Sequence, residues 1–164
     1  MERGDQSHHS GVCLKRLPWL FLAFALNAQA CETIGHVNNN PTNLRKCGRH
    51  WASATGVDAY GHLKFPDEET GLRIAYQVLK TYEKRYHIHS IEHLCGRWVS
   101  PQASWKAKQN WIRTVQQRTH TKPGAKLIFS DPETARLILK GIVYAENSCD
   151  EINERTYKNA VGLK

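Results

Sequence analysis

The stretch Ser130-Asp131-Pro132-Glu133-Thr134-Ala135-Arg136-Leu137-Ile138-Leu139-Lys140-Gly141-Ile142-Val143-Tyr144-Ala145-Glu146-Asn147-Ser148-Cys149 decides the reading of the fold. Ser130 and Glu133 stand at capping-box spacing, and Pro132 sits where a first helical turn tolerates a missing N–H. Leu137, Ile138, Ile142 and Val143 then recur at helical spacing, and the helix runs to Glu146. An apolar face ending in a carboxylic acid has two readings. The plain one is an ordinary surface residue at a helix terminus. The chemical one is an acid bordering the core, whose pKa is raised by burial so that it can donate a proton near neutral pH.

Upstream, three more helices can be drawn. One opens at Pro66-Asp67-Glu68-Glu69, with Asp67 as N-cap and acids in the first turn, where they oppose the helix dipole. Leu72, Ala75, Tyr76, Leu79, Tyr82 and Tyr86 share one face of it. The next starts at Ser90, carries Ile91, Leu94 and Trp98, and is ended by Pro101. The third runs from about Ser104 to Arg118, with Trp111, Ile112 and Val115 inward and Lys106, Lys108 and Arg113 outward. Lys126-Leu127-Ile128-Phe129 is the one run with strand character. Residues 31–64 carry Gly, Asn and Pro without a period and read as loop with short elements. The expected class is mainly α, a small helical domain with few or no strands.

Residues 1–30 read as an address. Lys15 and Arg16 precede an apolar stretch from Leu17 to Leu26, and Ala28-Gln29-Ala30 is a small-x-small cleavage site. The stretch is too short to span a membrane comfortably. The alternatives are a buried helix, an uncleaved anchor, or lipoprotein processing at Cys31, for which Ala28 is a poor match. Cleavage after Ala30 removes 30 of the 164 residues and leaves one domain, 31–164. The 23 Lys+Arg and 15 Asp+Glu of the whole chain become 20 and 13, a surplus of seven positive charges. On an exported protein that surplus points to an anionic envelope polymer and away from nucleic acid. The chain is expected to be exported to the periplasm or beyond, to make no stable membrane span after cleavage, and to be a monomer.

Cleavage also removes Cys13 and leaves Cys31, Cys47, Cys95 and Cys149, an even count that reads as two disulfides in an exported chain. Their spacing fits no zinc framework. His87, His89 and His93 could hold a metal but read more simply as solvent-facing residues. Neither a metal nor a cofactor is expected. Four blocks can carry chemistry. His36-Val37-Asn38-Asn39-Asn40-Pro41-Thr42-Asn43-Leu44-Arg45 is either a turn held by Asx bonds or a loop offering amides to a sugar. Tyr144-Ala145-Glu146-Asn147 is the possible acid. In Phe65 to Arg73 the acids are most simply caps, with Glu69 a weaker catalytic candidate. In Cys95-Gly96-Arg97-Trp98, Trp98 is either core or a stacking platform.

These blocks, in this order, resemble a family of phage and prophage proteins that open with Asn-Asn-Asn-Pro-Gly-Asn-Ile-Arg and are often labelled virion structural proteins. The resemblance rests on Asn38 to Arg45, Trp51, Phe65 to Arg73, Tyr82, Arg97-Trp98, Asp131-Pro132 and Glu146-Asn147. Thr42 and Leu44 stand where the family has Gly and Ile, and Ala145-Glu146-Asn147-Ser148 where it has His-Glu-Asn-Gly. Asn39 to Leu44, Trp51 and Phe65 also resemble part of the lysozyme-like glucosaminidases, in which the helix bearing the catalytic Glu precedes the Asn block. Here a helix of that kind lies at the C-terminal end. The second resemblance implies a circularly permuted lysozyme-like domain in which the loop at Asn38 to Asn43 faces Glu146. It also implies a Cys31–Cys149 bridge joining the ends and a Cys47–Cys95 bridge elsewhere.

The expected activity is cleavage of peptidoglycan by a glycosidase or lytic transglycosylase with Glu146 as general acid. Asn38, Asn39, Asn40, Asn43, Arg45, Trp51, Trp98 and Tyr144 would bind the sugar, and Glu69 or Asp58 would position a water. The alternative is a non-catalytic virion or secreted wall-binding protein on the same scaffold.

Overall fold

The computed structural model describes residues 31–47 and 51–164; the expected export segment lies outside the described residues. A short helix α1 (Ile34–Val37) leads into the Asn-rich loop, which is followed by a two-stranded antiparallel ribbon of β1 (Gly56–Val57) and β2 (Leu63–Lys64). Five helices follow: α2 (Glu68–Tyr86), α3 (Ile91–Trp98), α4 (Trp105–Thr119), α5 (Pro132–Asn147) and α6 (Glu154–Val161). The class is mainly α, as expected. Among the described residues, no helix is long and apolar enough to cross a membrane.

Each long helix begins where a short polar side chain can satisfy the free N–H groups of its first turn. Asp67 accepts from the Thr70 amide at 2.7 Å, Ser90 from His93 at 3.3 Å and Ser104 from Ala107 at 3.1 Å. At α5 the cap is Asp131, accepting from Thr134 at 2.8 Å, so the expected Ser130–Glu133 capping box does not form. Ser130 instead donates its backbone N–H to Glu83 of α2. Helix α6 was not expected. Asn153 caps it, Tyr157, Ala160 and Val161 form its buried face, and Gly162 at φ 82° ends it.

α5 is the central element. Ala135, Ile138, Leu139, Ile142 and Val143 are all buried, while Leu137 turns outward. α4 lies along one side of α5, with Trp111 and Val115 inward, and α6 packs on both α2 and α5. Tyr86, expected on the inner face of α2, is exposed at that helix's C-terminal end. Residues 126–129 form no strand. A backbone bond from Leu127 to the His89 carbonyl (2.7 Å) ties them to the start of α3, and Phe129 plugs the core.

Two glycines bring the Asn-rich loop against the helices. A methyl group on Gly71 of α2 would lie 2.2 Å from the Asn39 carbonyl oxygen, and one on Gly35 of α1 would lie 2.5 Å from the Asn147 side chain. The obstacle at Gly71 is backbone and cannot swing aside. Gly71→Ala is expected to lower the stability by about 3 kcal/mol, read as a fall in the urea midpoint at constant slope.

One disulfide forms, Cys31–Cys149, with Cα atoms 6.2 Å apart. It ties the start of the described chain to the residues just after α5. The expected Cys47–Cys95 bridge does not form. Cys95 is buried between α3 and α4 with its sulfur 3.7 Å from the Lys108 carbonyl, whereas Cys47 is exposed in the loop before the ribbon. Spacing alone could not exclude that pairing. The Cys31–Cys149 bridge closes a loop of 118 residues. Cys149→Ser is therefore expected to cost about 2–4 kcal/mol, measured by thermal denaturation without reductant.

Candidate functional site

A cleft of about 820 Å³ runs between the Asn-rich loop, the turn of the ribbon at His62 and helices α2, α3, α4 and α5. Glu146, in the last turn of α5, lies on it together with Asn43, Arg45, Trp51, His62, Tyr82, Trp98 and Trp111. Glu146 is placed by the α4–α5 packing, because Trp111 of α4 donates its indole N–H to Glu146 Oε1 at 2.8 Å. The other carboxyl oxygen lies 3.4 Å from the Asn43 amide nitrogen, at the long end for a hydrogen bond. Desolvation by burial raises the Glu146 pKa. The Trp111 and Asn43 hydrogen bonds, and His62 whenever its ring is protonated, work in the opposite direction but do not cancel it. The carboxyl therefore holds a proton to higher pH than an ordinary glutamate, as a general acid must.

Asn43 reaches Glu146 because the loop doubles back. Asn39 and Asn43 both adopt left-handed backbone near φ 52°, which asparagine tolerates better than most residues. Asn147, beside Glu146, clamps the loop from α5 by donating to the Pro41 carbonyl at 2.6 Å and accepting from Thr33 at 2.5 Å. The expected facing of the Asn loop and Glu146 is thus present in the structure, across 103 residues of chain.

The other asparagines serve the loop itself. Asn40 is fully buried, accepting from the Leu44 amide at 2.9 Å and donating to the Leu44 and Leu63 carbonyls at 2.8 and 2.9 Å. Asn39 donates to the Phe65 and Pro66 carbonyls, and Asn38 to Asp58 at 2.8 Å. The structure thus places three of the four expected sugar-binding amides in the scaffold. Only Asn43 lies on the cleft.

The remaining expected residues divide similarly. Trp98 lies on the cleft, its indole donating to the Thr42 carbonyl at 3.3 Å and its ring edge-on to Tyr82 at 6.2 Å. Trp51 and Arg45 also line it, with Arg45 donating to the Tyr60 carbonyl at 2.6 Å. Tyr144 is not a cleft residue; its ring carries the Arg118 guanidinium at 3.4 Å. Glu69 is remote from Glu146, paired with Arg73 and accepting from Asn159 at 3.1 Å in a shallow polar depression beside α6. Cys31, His36 and Cys149 bring ligand-type atoms within 4.8 Å of one another, but the two sulfurs are joined in the disulfide.

Three cleft features were not expected from the sequence, one of them His62 in the turn of the ribbon. Trp111 was expected only as core, yet it is also the donor to Glu146. Tyr82 and Trp98 form an aromatic wall, which the spacing of two separate helices could not reveal.

No protein-family model matches the chain. It is similar to Protein P5 of Pseudoalteromonas phage PM2, with 27% identity over 116 residues, covering 67% of this chain and 68% of that protein. The chain is phage-related.

Proposed function

We propose that the protein is an exported enzyme that cleaves the glycan of peptidoglycan, as a glycosidase or lytic transglycosylase, with Glu146 as general acid. The observation that carries this reading is Glu146 itself: a carboxyl with a burial-raised pKa, held by Trp111 on an open, aromatic-lined cleft. Without protonation the glycosidic oxygen would leave as an alkoxide, too strong a base to be a good leaving group, and such a carboxyl supplies the proton. Trp98, Trp51 and Tyr82 offer apolar faces on which sugar rings stack, and Arg45 and Arg97 give the cleft a positive rim suited to an anionic wall. The amino-terminal export pattern and the phage relative fit an agent that meets the wall from the periplasmic side or from outside. A permuted lysozyme-like arrangement accounts for a catalytic helix that follows its Asn-rich loop in sequence.

The test is mass spectrometry of peptidoglycan incubated with the purified, oxidised protein. Soluble glycan fragments with new ends are expected. Wall binding with no released fragment would overturn the enzyme reading and leave a binding protein.

A further inference from the structure

Cleavage of a glycosidic bond by water needs a second group to take the water's proton, and that group is commonly another carboxylate. Among the described residues lining the cleft, Glu146 is the one acid. Glu69 lies elsewhere. Asp58 is committed: Oδ1 accepts the backbone N–H groups of Tyr60 and His62, each at 2.8 Å, and Oδ2 accepts from Asn38 at 2.8 Å. Burial opposes its charge, but these bonds together hold its carboxyl well below the usual carboxylate range. It is a fixed anion and no base.

That anion faces His62. The His62 ring lines the cleft, with Nδ1 3.1 Å from Asp58 Oδ2. An ionised carboxylate can only accept, so Nδ1 carries the hydrogen, and in the neutral ring Nε2 is the acceptor nitrogen left for a ligand. Gly61 turns the chain at φ 87° just before His62, and His62 forms a backbone bridge to Arg45. Asp58, from the same turn, is the charged group in contact with the ring; Arg45, whose guanidinium is on the Tyr60 carbonyl, and Glu146 of α5 line the same cleft.

We propose that His62 is the second catalytic group of this site, the base that activates the attacking water, and that Asp58 is the positioning residue that fixes its ring. The inference rests on the glycosidase reading of Glu146. In the step, the bond between the anomeric carbon and the glycosidic oxygen breaks, and its electron pair stays on that oxygen, which takes the Glu146 proton. The water oxygen bonds to the anomeric carbon as its proton passes to His62 Nε2. Nothing is oxidised or reduced, and solvent returns the proton from His62 to Glu146. The protein is then a hydrolase, because the oxygen that bonds to the anomeric carbon comes from water and not from the sugar's own hydroxyl.

The experiment digests peptidoglycan in heavy-oxygen water with wild type, Glu146→Gln, His62→Asn, His62→Gly and Asp58→Asn. Wild type is expected to yield reducing ends carrying the solvent oxygen. His62→Asn keeps a donor toward Asp58 and lacks Nε2, so kcat is expected to fall about 100-fold with little change in KM. Imidazole is expected to restore part of the rate to His62→Gly, and Asp58→Asn to lose less than His62→Asn. A His62→Asn enzyme as fast as wild type overturns the proposal, as does a loss that imidazole leaves untouched, which is the mark of a merely structural role. Anhydro ends without solvent oxygen from wild type overturn it while sparing the glycosidase reading. No fragments from wild type, or full activity in Glu146→Gln, sink that reading itself and this inference with it; both are seen with His62 intact.

Discussion

Glu146→Gln is expected to lower the release of glycan fragments by about 10²–10⁴-fold, the contribution of a positioned general acid, while leaving the fold in place. The substitution keeps the shape of the side chain and an oxygen to accept the Trp111 indole N–H, now at 2.8 Å. What it removes is the transferable proton. Trp111→Phe is the complementary change, because it withdraws the donor but keeps a ring in the α4–α5 seam. With that donor gone the Glu146 pKa rises further, so the descending limb of the rate against pH should move to higher pH. Rates of dye-labelled wall release from about pH 4 to 9 measure both effects. Full activity in Glu146→Gln would exclude the residue.

The same carboxyl makes a linked prediction about stability. Burial raises its pKa in the folded state above that in the unfolded chain. Between those two values the folded protein binds more protons than the unfolded one, so stability falls as pH rises through the window. Below the unfolded value the carboxyl is protonated in both states and costs nothing. Glu146→Gln removes this loss, so at neutral pH the variant is expected to be at least as stable as wild type and to lack the corresponding step in a plot of melting temperature against pH. An inactive variant of undiminished stability is the combination that a catalytic role predicts and a structural role does not.

The helices α2 to α5 were legible because each begins with a side chain that can cap it and then repeats apolar residues every three or four positions. Asp67, Ser90 and Ser104 mark true starts. At α5 two adjacent residues could each have served, and Asp131 won because Ser130 is drawn to Glu83 of α2, a contact across 47 residues. α6 carried the same signals in Asn153, Tyr157, Ala160, Val161 and Gly162, so its signal was present but unread. The two-residue strands were beyond reach, since alternation cannot be seen in two positions. At the site, Glu146 could be marked as a candidate from its own helix, but its meeting with Asn43 came only through a resemblance to proteins with similar blocks. The Asp58–His62 pair was local in sequence, four residues apart across the turn at Gly61, but that spacing did not show that the ring lies on the cleft with Glu146. Cysteine pairing needed burial: Cys95 faces the core and Cys47 the solvent.

Asn40→Ala is expected to destabilise the protein by about 2–6 kcal/mol, about 1–3 for each of the two buried backbone groups it leaves unpaired. Part of that size comes from what the side chain holds. The Leu44 amide loses its acceptor, the Leu63 carbonyl loses a donor, and a third bond to the Leu44 carbonyl goes with them, all at a residue with no solvent exposure. Water cannot replace these partners without opening the loop, and a buried polar group left unpaired costs more than the bond was worth when made. Set against a total stability of about 5–15 kcal/mol for a domain of this kind, the change can unfold the chain at 37 °C. Asn43→Gly, three residues away, makes the contrast, because glycine keeps the left-handed backbone at φ 52° without steric strain. Its amide touches Glu146 at 3.4 Å and holds no backbone group of the loop by a short bond, so its loss should fall on activity before stability. Urea denaturation of the two variants beside fragment release therefore separates scaffold from site within one motif. Equal stability losses in both would mean that the loop has no such division, and that Asn43 belongs to the scaffold with Asn38, Asn39 and Asn40.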